Sequence, residues 1–274
     1  MKVLLTGANG YLGKGVLKAL SQTNNRIVAT SRRFDTFIDN VTYRAANLFE
    51  IDDPYDFFDA PDVLLHLAWT DGFVHMSMSH LENLFKHMEF INCLISKGIK
   101  KVCVMGSVHE VGFYEGSVDE NTPCKPQSFY GISKNALRQT VELLCDKNGI
   151  IFQWIRGYYI VGNDTSGSSI FSKIAKAEIE GKKSFPFTLG LNQFDFLDYD
   201  VFCDYIVRIV NQNKINGVIN CCSGRPEKLS DRVEKFIKDN KYSIKLDYGK
   251  FPDRPYDSKA IWGDNTKLLK IING

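Results

Sequence analysis

The chain has 274 residues, of which 44% are hydrophobic and 24% charged, and its formal net charge is +2 at pH 7. These values are typical of a globular protein with one large α/β domain and at most a small companion. The small charge excludes a general attraction to nucleic acid or to an anionic membrane, and no apolar run approaches the roughly 18 residues of a membrane helix. Because the apolar run Met1–Leu5 is too short for a secretory signal, we expect a cytoplasmic protein that binds neither nucleic acid nor membrane.

Short apolar runs alternate with longer segments of helical periodicity along most of the chain. Strands that are covered by helices on both faces form such continuous apolar runs, and each helical segment is long enough to connect two parallel strands. The pattern predicts an α/β fold with a doubly wound, Rossmann-type parallel sheet. The predicted strands are Val3–Leu5, Arg26–Thr30, Val41–Arg44, Asp62–Leu67, Lys101–Met105, Ile151–Tyr159 and Gly217–Cys221. The predicted helices among them are Gly13–Leu20, His80–Lys97 and Tyr130–Asp146.

The pattern changes after the sixth of these strands. Residues 162–169 are rich in Gly, Ser, Asn and Asp and predict a loop, followed by a helix over Ile170–Gly181. The polar segment Ser223–Gly274 predicts one further helix near Asp231–Asn240. We predict that 1–161 with 192–222 form the Rossmann domain. In this division 162–191 and 223–274 form a small, largely C-terminal substrate-binding lid over the carboxyl edge of the sheet.

The first strand is followed by a glycine-rich segment, Thr6–Gly13, that opens a helix. Glycines in this context permit a tight turn, a close approach of the backbone to a pyrophosphate, and close packing of helix on strand. The helix N-terminus adds free N–H groups and the positive end of its dipole. The segment predicts a dinucleotide cofactor site formed by Gly7, Asn9, Gly10, Tyr11, Leu12 and Gly13.

The end of the second strand favours one cofactor over the other. NAD-specific folds usually have an acidic residue here that binds the adenosine ribose, whereas this chain has Ser31, Arg32 and Arg33. A guanidinium pairs bidentately with a phosphate such as the 2′-phosphate of NADP. We therefore expect NADP(H) rather than NAD(H), with these three residues at its adenosine end.

The segment Tyr130-Gly-Ile-Ser-Lys134 places a phenol and an ammonium four residues apart, on one face of a helix. A free phenol has a pKa near about 10, and a neighbouring ammonium is expected to lower it. Tyr130 is then able to exchange a proton with a carbonyl oxygen while a nicotinamide supplies hydride to the carbon.

Three features together resemble the extended short-chain dehydrogenase/reductase family: the GxxGxxG spacing, the Tyr130–Lys134 motif, and Ser107 just beyond an apolar strand. The resemblance covers roughly residues 1–222. It implies that Ser107 orients the substrate oxygen toward Tyr130, so that Ser107, Tyr130 and Lys134 form the catalytic set. It also implies a nucleotide-diphosphate sugar as substrate.

The same resemblance implies further contacts. In many relatives the helices that correspond to His80–Lys97 and Tyr130–Asp146 form a dimer interface, so we expect a homodimer. The family has Asn where this chain has Tyr159. The implied cofactor contacts are Asn47, Leu48, Leu67, Ala68, Tyr130 and Lys134, and the implied substrate contacts are Ser107, Val108, His109, Tyr130, Tyr159 and Arg254.

The residues after Ser107 discriminate between reactions of this family. Sugar 4,6-dehydratases carry Asp-Glu there, whereas this chain has Val108 and His109, with Glu110 one place too late, which disfavours dehydration. His109 stands where a Cys transfers protons in the GDP-fucose-synthase type, so its role in substrate contact or epimerisation stays open. We expect NADPH-dependent reduction of a 4-keto, 6-deoxy nucleotide-diphosphate sugar, with Tyr130 as proton donor. A nucleotide-sugar epimerase with tightly bound NAD(P) and a non-catalytic NADP sensor are the alternatives.

Cysteine usage predicts neither disulfides nor a metal site. The seven cysteines lie between Cys93 and Cys222 without a CxxC pair, and no Cys/His cluster has metal-ligand spacing. In a reducing compartment such cysteines act as small apolar side chains.

Overall fold

A computed structural model describes residues 1–162, 164–165, 167–252 and 257–274. Its strands are β1 (Lys2–Thr6), β2 (Arg26–Ser31), β3 (Val41–Ala45), β4 (Val63–His66), β5 (Lys101–Ser107), β6 (Gly116–Val118), β7 (Ile151–Gly157), β8 (Tyr159–Val161), β9 (Ser184–Pro186), β10 (Gln193–Asp198), β11 (Gly217–Cys221), β12 (Pro226–Lys228), β13 (Lys245–Asp247) and β14 (Ala260–Gly263). Its helices are α1 (Tyr11–Leu20), α2 (Pro54–Phe57), α3 (Ser79–Lys97), α4 (Phe129–Lys147), α5 (Ile170–Ile179), α6 (Tyr199–Val210), α7 (Leu229–Asp239) and α8 (Thr266–Asn273). Short 3₁₀ turns cover Leu48–Glu50 and Val108–Glu110.

The central sheet has seven parallel strands in the order β11-β7-β5-β4-β1-β2-β3. Each of the seven predicted apolar runs supplies one of them, so the predicted Rossmann-type doubly wound sheet is confirmed. The chain builds outward from β1 in both directions, which places a topological switch between β1 and β4. Ligands of doubly wound folds bind at the carboxyl edge beside such a switch.

Helices cover both faces of this sheet because alternate strand residues point to opposite sides. On one face Val3 and Leu5 of β1 pack with α1, α6 and α8, and on the other face Leu4 packs with α3 and α4. All three of these strand residues are fully buried. Helical periodicity in the sequence predicts α1, α3 and α4, whereas α6 and α8 were not predicted.

The predicted strand Ile151–Tyr159 was wrong at its end, since β7 stops at Gly157. Gly157 lies against Met105, where a Cβ would come within 2.4 Å of the methionine Cε. After Gly157 the chain leaves the central sheet, and β8 pairs in parallel with β10.

A second sheet, β12-β10-β14-β6 with β8 beside β10, follows the carboxyl ends of β5, β7 and β11 along the chain. It encloses a separate apolar core with α5 and α7. Strand β10 lies in the predicted Rossmann range but belongs to the second sheet, whereas α8 lies in the predicted lid range but packs on α6 and β11. The domain boundaries at 192 and 223 stay predictions. None of the helices in the described ranges is both long and apolar enough to cross a membrane.

Candidate active site

The glycine-rich segment forms a tight turn between β1 and α1. Gly7 has φ +70°, and a Cβ there would lie 2.7 Å from the backbone nitrogen of Ala68. A Cβ on Gly13 would lie 2.0 Å from the carbonyl oxygen of Gly7, so helix and turn pack too closely for any side chain. Gly10 is exposed and is the N-cap of α1, with no side-chain cap and no acidic residue in the first turn. The N-terminal N–H groups of α1 therefore fit the pyrophosphate of a dinucleotide.

The adenosine end of the predicted cofactor site is open to solvent. Ser31 ends β2, and Arg32 and Arg33 are both exposed. The exposed carboxylate of Asp35, which sequence reasoning missed, accepts hydrogen bonds from Asn9 Nδ2 at 3.1 Å and from Lys14 Nζ at 3.3 Å. These two hydrogen bonds lower the pKa of Asp35, so the carboxylate is ionised near neutrality.

The other predicted cofactor residues lie at the carboxyl ends of neighbouring parallel strands. Leu67 and Ala68 follow β4, and the Ala68 N–H donates to Thr6 Oγ1 at 3.3 Å. Asn47 follows β3 and caps the 3₁₀ turn over Leu48–Glu50 by accepting from Phe49 N–H. Since these strands are parallel, all of these residues lie at one edge of the sheet. Tyr11 and Leu12 begin α1 at the same edge.

Two elements, β5 and α4, bring the three predicted catalytic residues together. Ser107 ends β5, and Ser128 caps α4 by accepting from Gly131 N–H at 3.1 Å, which fixes Tyr130 in the first turn of α4. One turn further along α4, Lys134 is buried, and its Nζ donates to the Met105 carbonyl oxygen of β5 at 2.8 Å. The i, i+4 spacing thus places phenol and ammonium beside the end of β5.

Burial dominates the ionisation of this pair. It raises the pKa of Tyr130 to about 12, and a hydrogen bond with Ser107 opposes the rise. Burial also lowers the pKa of Lys134 to about 7, while the negative charge of Glu110 opposes the fall. The expected lowering of the Tyr130 pKa is wrong for this structure, because removal from water disfavours the charged form of each group.

Histidines surround Tyr130, and sequence reasoning identified only His109 among them. The ring of His75 stacks on Tyr130 with centroids 5.2 Å apart, and the His75 carbonyl oxygen accepts from Tyr130 N–H at 3.0 Å. His80 lies 5.2 Å and His109 6.1 Å from the phenol ring, centroid to centroid. His75 and His109 are themselves 4.3 Å apart. His75 and His80 come from the segment after β4 and from α3, too far along the chain for local spacing to associate them with Tyr130.

Glu110 turns away from the substrate side. It is fully buried, and its carboxylate pairs with Arg156 Nε at 2.7 Å and accepts from Trp154 Nε1 at 2.8 Å. The Ser107 backbone N–H completes its hydrogen bonds. These hydrogen bonds hold the carboxylate in the protein interior, so it is not available to protonate a leaving group.

A small cavity of about 30 Å³, with room for roughly one or two water molecules, is lined by His75, which stacks on Tyr130. It marks one side of the candidate sugar site. The predicted substrate residues Val108, His109 and Tyr159 line the cavity, and Tyr159 also stacks on Phe194 with centroids 4.3 Å apart. Arg254 lies outside the described residues. Other residues that line the cavity are His75, Gly112, Phe113, Gln127, Ser128, Asp257, Ser258 and Ile261.

The chain is similar to known proteins over most of its length. The model of the NAD dependent epimerase/dehydratase family matches residues 3–222. The dTDP-6-deoxy-L-talose 4-dehydrogenase (NAD(+)) of Aggregatibacter actinomycetemcomitans is 39% identical over 272 residues, which cover 96% of this chain and 99% of that protein. The GDP-6-deoxy-D-talose 4-dehydrogenase of the same organism is 21% identical, with 99% and 91% covered.

Solved structures agree in fold. The UDP-N-acetylglucosamine 4-epimerase of Methanobrevibacter ruminantium M1 superposes with a TM-score of 0.85 at 19% identity, covering 98% of this chain and 91% of that one. The UDP-glucose 4-epimerase of Thermotoga maritima gives 0.82 at 17% identity, with 98% and 92% covered. The chain is an oxidoreductase and belongs to the NAD-dependent epimerase/dehydratase family.

Proposed function

We propose that this enzyme oxidises and reduces carbon 4 of a 6-deoxyhexose carried on a nucleoside diphosphate, with dTDP as the preferred carrier. The observation that supports this most is the meeting of Ser107, Tyr130 and Lys134 at the end of β5, beside a cavity lined by Val108 and His109. The similarity to an enzyme named as a dTDP-6-deoxy-L-talose 4-dehydrogenase, across nearly both full lengths, supports the substrate class.

In this proposal Tyr130 donates a proton to the sugar oxygen O4 during reduction. Its phenol is neutral below a pKa of about 12 and thus carries the proton near pH 7. Ser107, which hydrogen-bonds Tyr130, orients the same oxygen. The Lys134 ammonium holds ribose hydroxyls and stabilises the phenolate that proton donation leaves behind. A nicotinamide bound there would supply the hydride for reduction and would take one up in oxidation.

The position of Glu110 argues against dehydration as the reaction. Water elimination needs a carboxylic acid beside the leaving hydroxyl, and the Glu110 carboxylate is bound to Arg156 and Trp154 in the interior. The two positions directly after Ser107 hold Val108 and His109, neither of which is a carboxylic acid. Simple 4-oxidoreduction requires no further acid than Tyr130.

We propose NAD(H) as the preferred cofactor, in place of the NADP(H) that Arg32 and Arg33 favoured in the sequence. Asp35 places an ionised carboxylate against Asn9 of the glycine-rich segment, where it can accept hydrogen bonds from ribose hydroxyls and repel a 2′-phosphate. Arg33 lowers the pKa of Asp35, so the two opposite charges offset one another in part. The 39% identical relative is also named for NAD(+).

We further propose a homodimer through α3 and α4. These helices pack against each other and expose Phe85, Ile132 and Leu143, which are 66%, 42% and 54% exposed. Light scattering after gel filtration gives the mass: about twice that of the chain supports the dimer, and the mass of one chain contradicts it.

The test is absorbance of the reduced cofactor with 4-keto-6-deoxyhexoses carried on dTDP, GDP, UDP or CDP. We expect NADH oxidation with the dTDP sugar above all, and loss of this signal in Tyr130→Phe. In the reverse direction dTDP-6-deoxytalose should reduce NAD⁺. Isomerised sugar without net cofactor change would instead indicate an epimerase. Activity with none of the four carriers would contradict the proposal.

A further inference from the structure

Trp69 contacts both members of the catalytic pair. It directly follows Ala68, and Lys134 Nζ lies 3.7 Å from the centroid of its indole ring. The ring of Tyr130 meets the same indole nearly edge-on, with centroids 6.2 Å apart and planes at 78°. A cation over an indole face is attracted by the negative face of the ring, most strongly where water is excluded. Lys134 is 3% exposed, so it satisfies that condition.

The indole is held on its remaining sides. His87 stacks on it with centroids 4.6 Å apart and planes at 10°. Such a stack leaves no room for an ammonium between the rings, so Lys134 lies on the opposite face. The indole Nε1 donates to His80 Nδ1 at 3.0 Å, and His80 Nε2 lies 3.0 Å from the Val74 carbonyl oxygen. Since Nδ1 accepts, His80 carries its proton on Nε2 and donates to that carbonyl.

His87 is fixed in turn by a buried hydrogen-bond chain. His87 Nδ1 lies 2.9 Å from His66 Nε2, and His66 Nδ1 lies 2.9 Å from Thr6 Oγ1. Burial holds both imidazoles neutral near pH 7, since it lowers the pKa of His87 to about 3 and that of His66 well below its usual range. The Thr6 hydroxyl, at the start of the glycine-rich segment, also accepts from Ala68 N–H. The hydrogen-bonded series of His87, His66 and Thr6 is thereby connected to that segment.

We propose that Trp69 is a positioning residue that holds the Lys134 side chain on its indole face and favours the ammonium form, with the His66–His87 pair behind the ring as its support. The inference rests on the proposed function only in taking Lys134 as the group that serves the ribose and Tyr130. If Trp69 served only to fill space, any apolar side chain of similar volume could replace it. A positioning role requires the negative face of the aromatic ring.

Other charged and titratable groups around Lys134 also influence the pKa of its ammonium group. Glu110, below the end of β5, favours the ammonium. Tyr130 on α4 is neutral near pH 7, and its ring centroid lies 5.9 Å from Nζ. His66 and His87 are neutral and lie behind the indole. Of these groups, Trp69 and Glu110 favour the charged form of Lys134, while burial opposes it.

The experiment measures the pKa of Lys134 directly, in the protein with neither cofactor nor sugar added. Lysine labelled with ¹³C and ¹⁵N reports Cε and Nζ shifts against pH, and the Lys134 signal is identified as the one lost in Lys134→Met. In Trp69→Leu we expect the midpoint to fall by about one pH unit, because the attraction of the ring is lost. Trp262→Leu, which alters a partly buried tryptophan of β14, should leave the midpoint unchanged. An unchanged midpoint in folded Trp69→Leu would overturn the proposal.

A second series keeps the shape of the side chain. Fluorinated tryptophans, incorporated at position 69 alone, weaken the negative ring face while retaining its size. Trp154, whose Nε1 donates to Glu110, then stays unchanged. The Lys134 midpoint should fall stepwise with the number of fluorine atoms, and this series decides the matter if Trp69→Leu does not fold. A midpoint independent of fluorination would overturn the proposal. Because no turnover is measured, failure of the proposed sugar reaction would leave this result intact.

Discussion

The two ends of the candidate active site differ in how they are built. At the catalytic end Lys134 is 3% exposed, His66 and His87 are 1% and 3% exposed, and each makes defined polar or ring contacts. At the adenosine end Arg32, Arg33 and Asp35 are exposed side chains, and Asp35 forms a solvent-facing pair with Lys14. The difference teaches that the protonation states of the reaction are fixed by burial. In the proposed function, cofactor preference depends instead on surface charges, which contribute little to stability.

The largest effect is expected at the enclosed end, from Tyr130→Phe. The substitution removes the proton donor while keeping the ring that His75 stacks on. A positioned acid typically contributes 10² to 10⁴ in rate, and we expect kcat to fall by about 10³-fold. NADH affinity, measured by cofactor fluorescence, should change less than about threefold, since the phenol oxygen serves mainly the sugar. A kcat within about tenfold of the unchanged enzyme would remove Tyr130 from the proposed mechanism.

The next effect is on stability, from Glu110→Gln. The change leaves the Arg156 guanidinium charged in a buried place, and breaking such a pair costs about 3–5 kcal/mol. Urea unfolding should show this loss. The matched control is Glu142→Gln, which breaks an i, i+4 pair with Arg138 where Glu142 is 46% exposed, at a cost below about 0.5 kcal/mol. Equal costs for the two variants would mean that Glu110 is not committed to the interior, and dehydration would have to be reconsidered.

The neutral histidines predict how stability depends on pH. Burial lowers the pKa of His87 to about 3 in the folded protein, while the unfolded chain takes up this proton near about 6.5. Between these values the unfolded state binds more protons, so the free energy of unfolding falls by about 1.4 kcal/mol per pH unit as pH decreases. His87→Gln should reduce the slope of the free energy of unfolding against pH by the contribution of one proton. Urea unfolding from pH 7 to pH 4 measures this slope. An unchanged slope would show that His87 is already protonated, or exposed, in the folded protein.

The sequence predicted what depends on local spacing. Tyr130 and Lys134 are four residues apart on one helix, and the glycines of Thr6–Gly13 lie within eight consecutive residues, so both features could be recognised without tertiary information. Apolar runs marked every strand of the central sheet for the same reason. Trp69 and His75 could not be assigned, because only the fold of the β4–α3 segment against α4 brings them to Tyr130.

Ionisation was the part that local reasoning predicted in the wrong direction. The sequence placed an ammonium near a phenol, and Coulomb attraction alone lowers the pKa of the phenol. Burial of both groups reverses the direction, with the pKa of Tyr130 at about 12 and that of Lys134 at about 7. Burial is a property of the assembled fold, and the spacing of residues along a helix contains no information about it.

The smallest effect is expected at the open end, and it tests the comparison between the two ends most directly. If exposed charges decide the cofactor, Asp35→Asn should raise kcat/KM for NADPH relative to NADH by about tenfold. Arg33→Ala is the opposite control and should lower the same ratio, because a cation near the 2′-phosphate is lost. The effect of each substitution on the NADPH/NADH ratio should become smaller between 0.05 M and 0.5 M salt, since charges in water are screened over about 10 Å or less. The free energy of unfolding should stay within about 0.5 kcal/mol in both variants. A ratio unaffected by either substitution would mean that buried contacts also set cofactor preference, and the distinction between an enclosed catalytic end and an open adenosine end would fail.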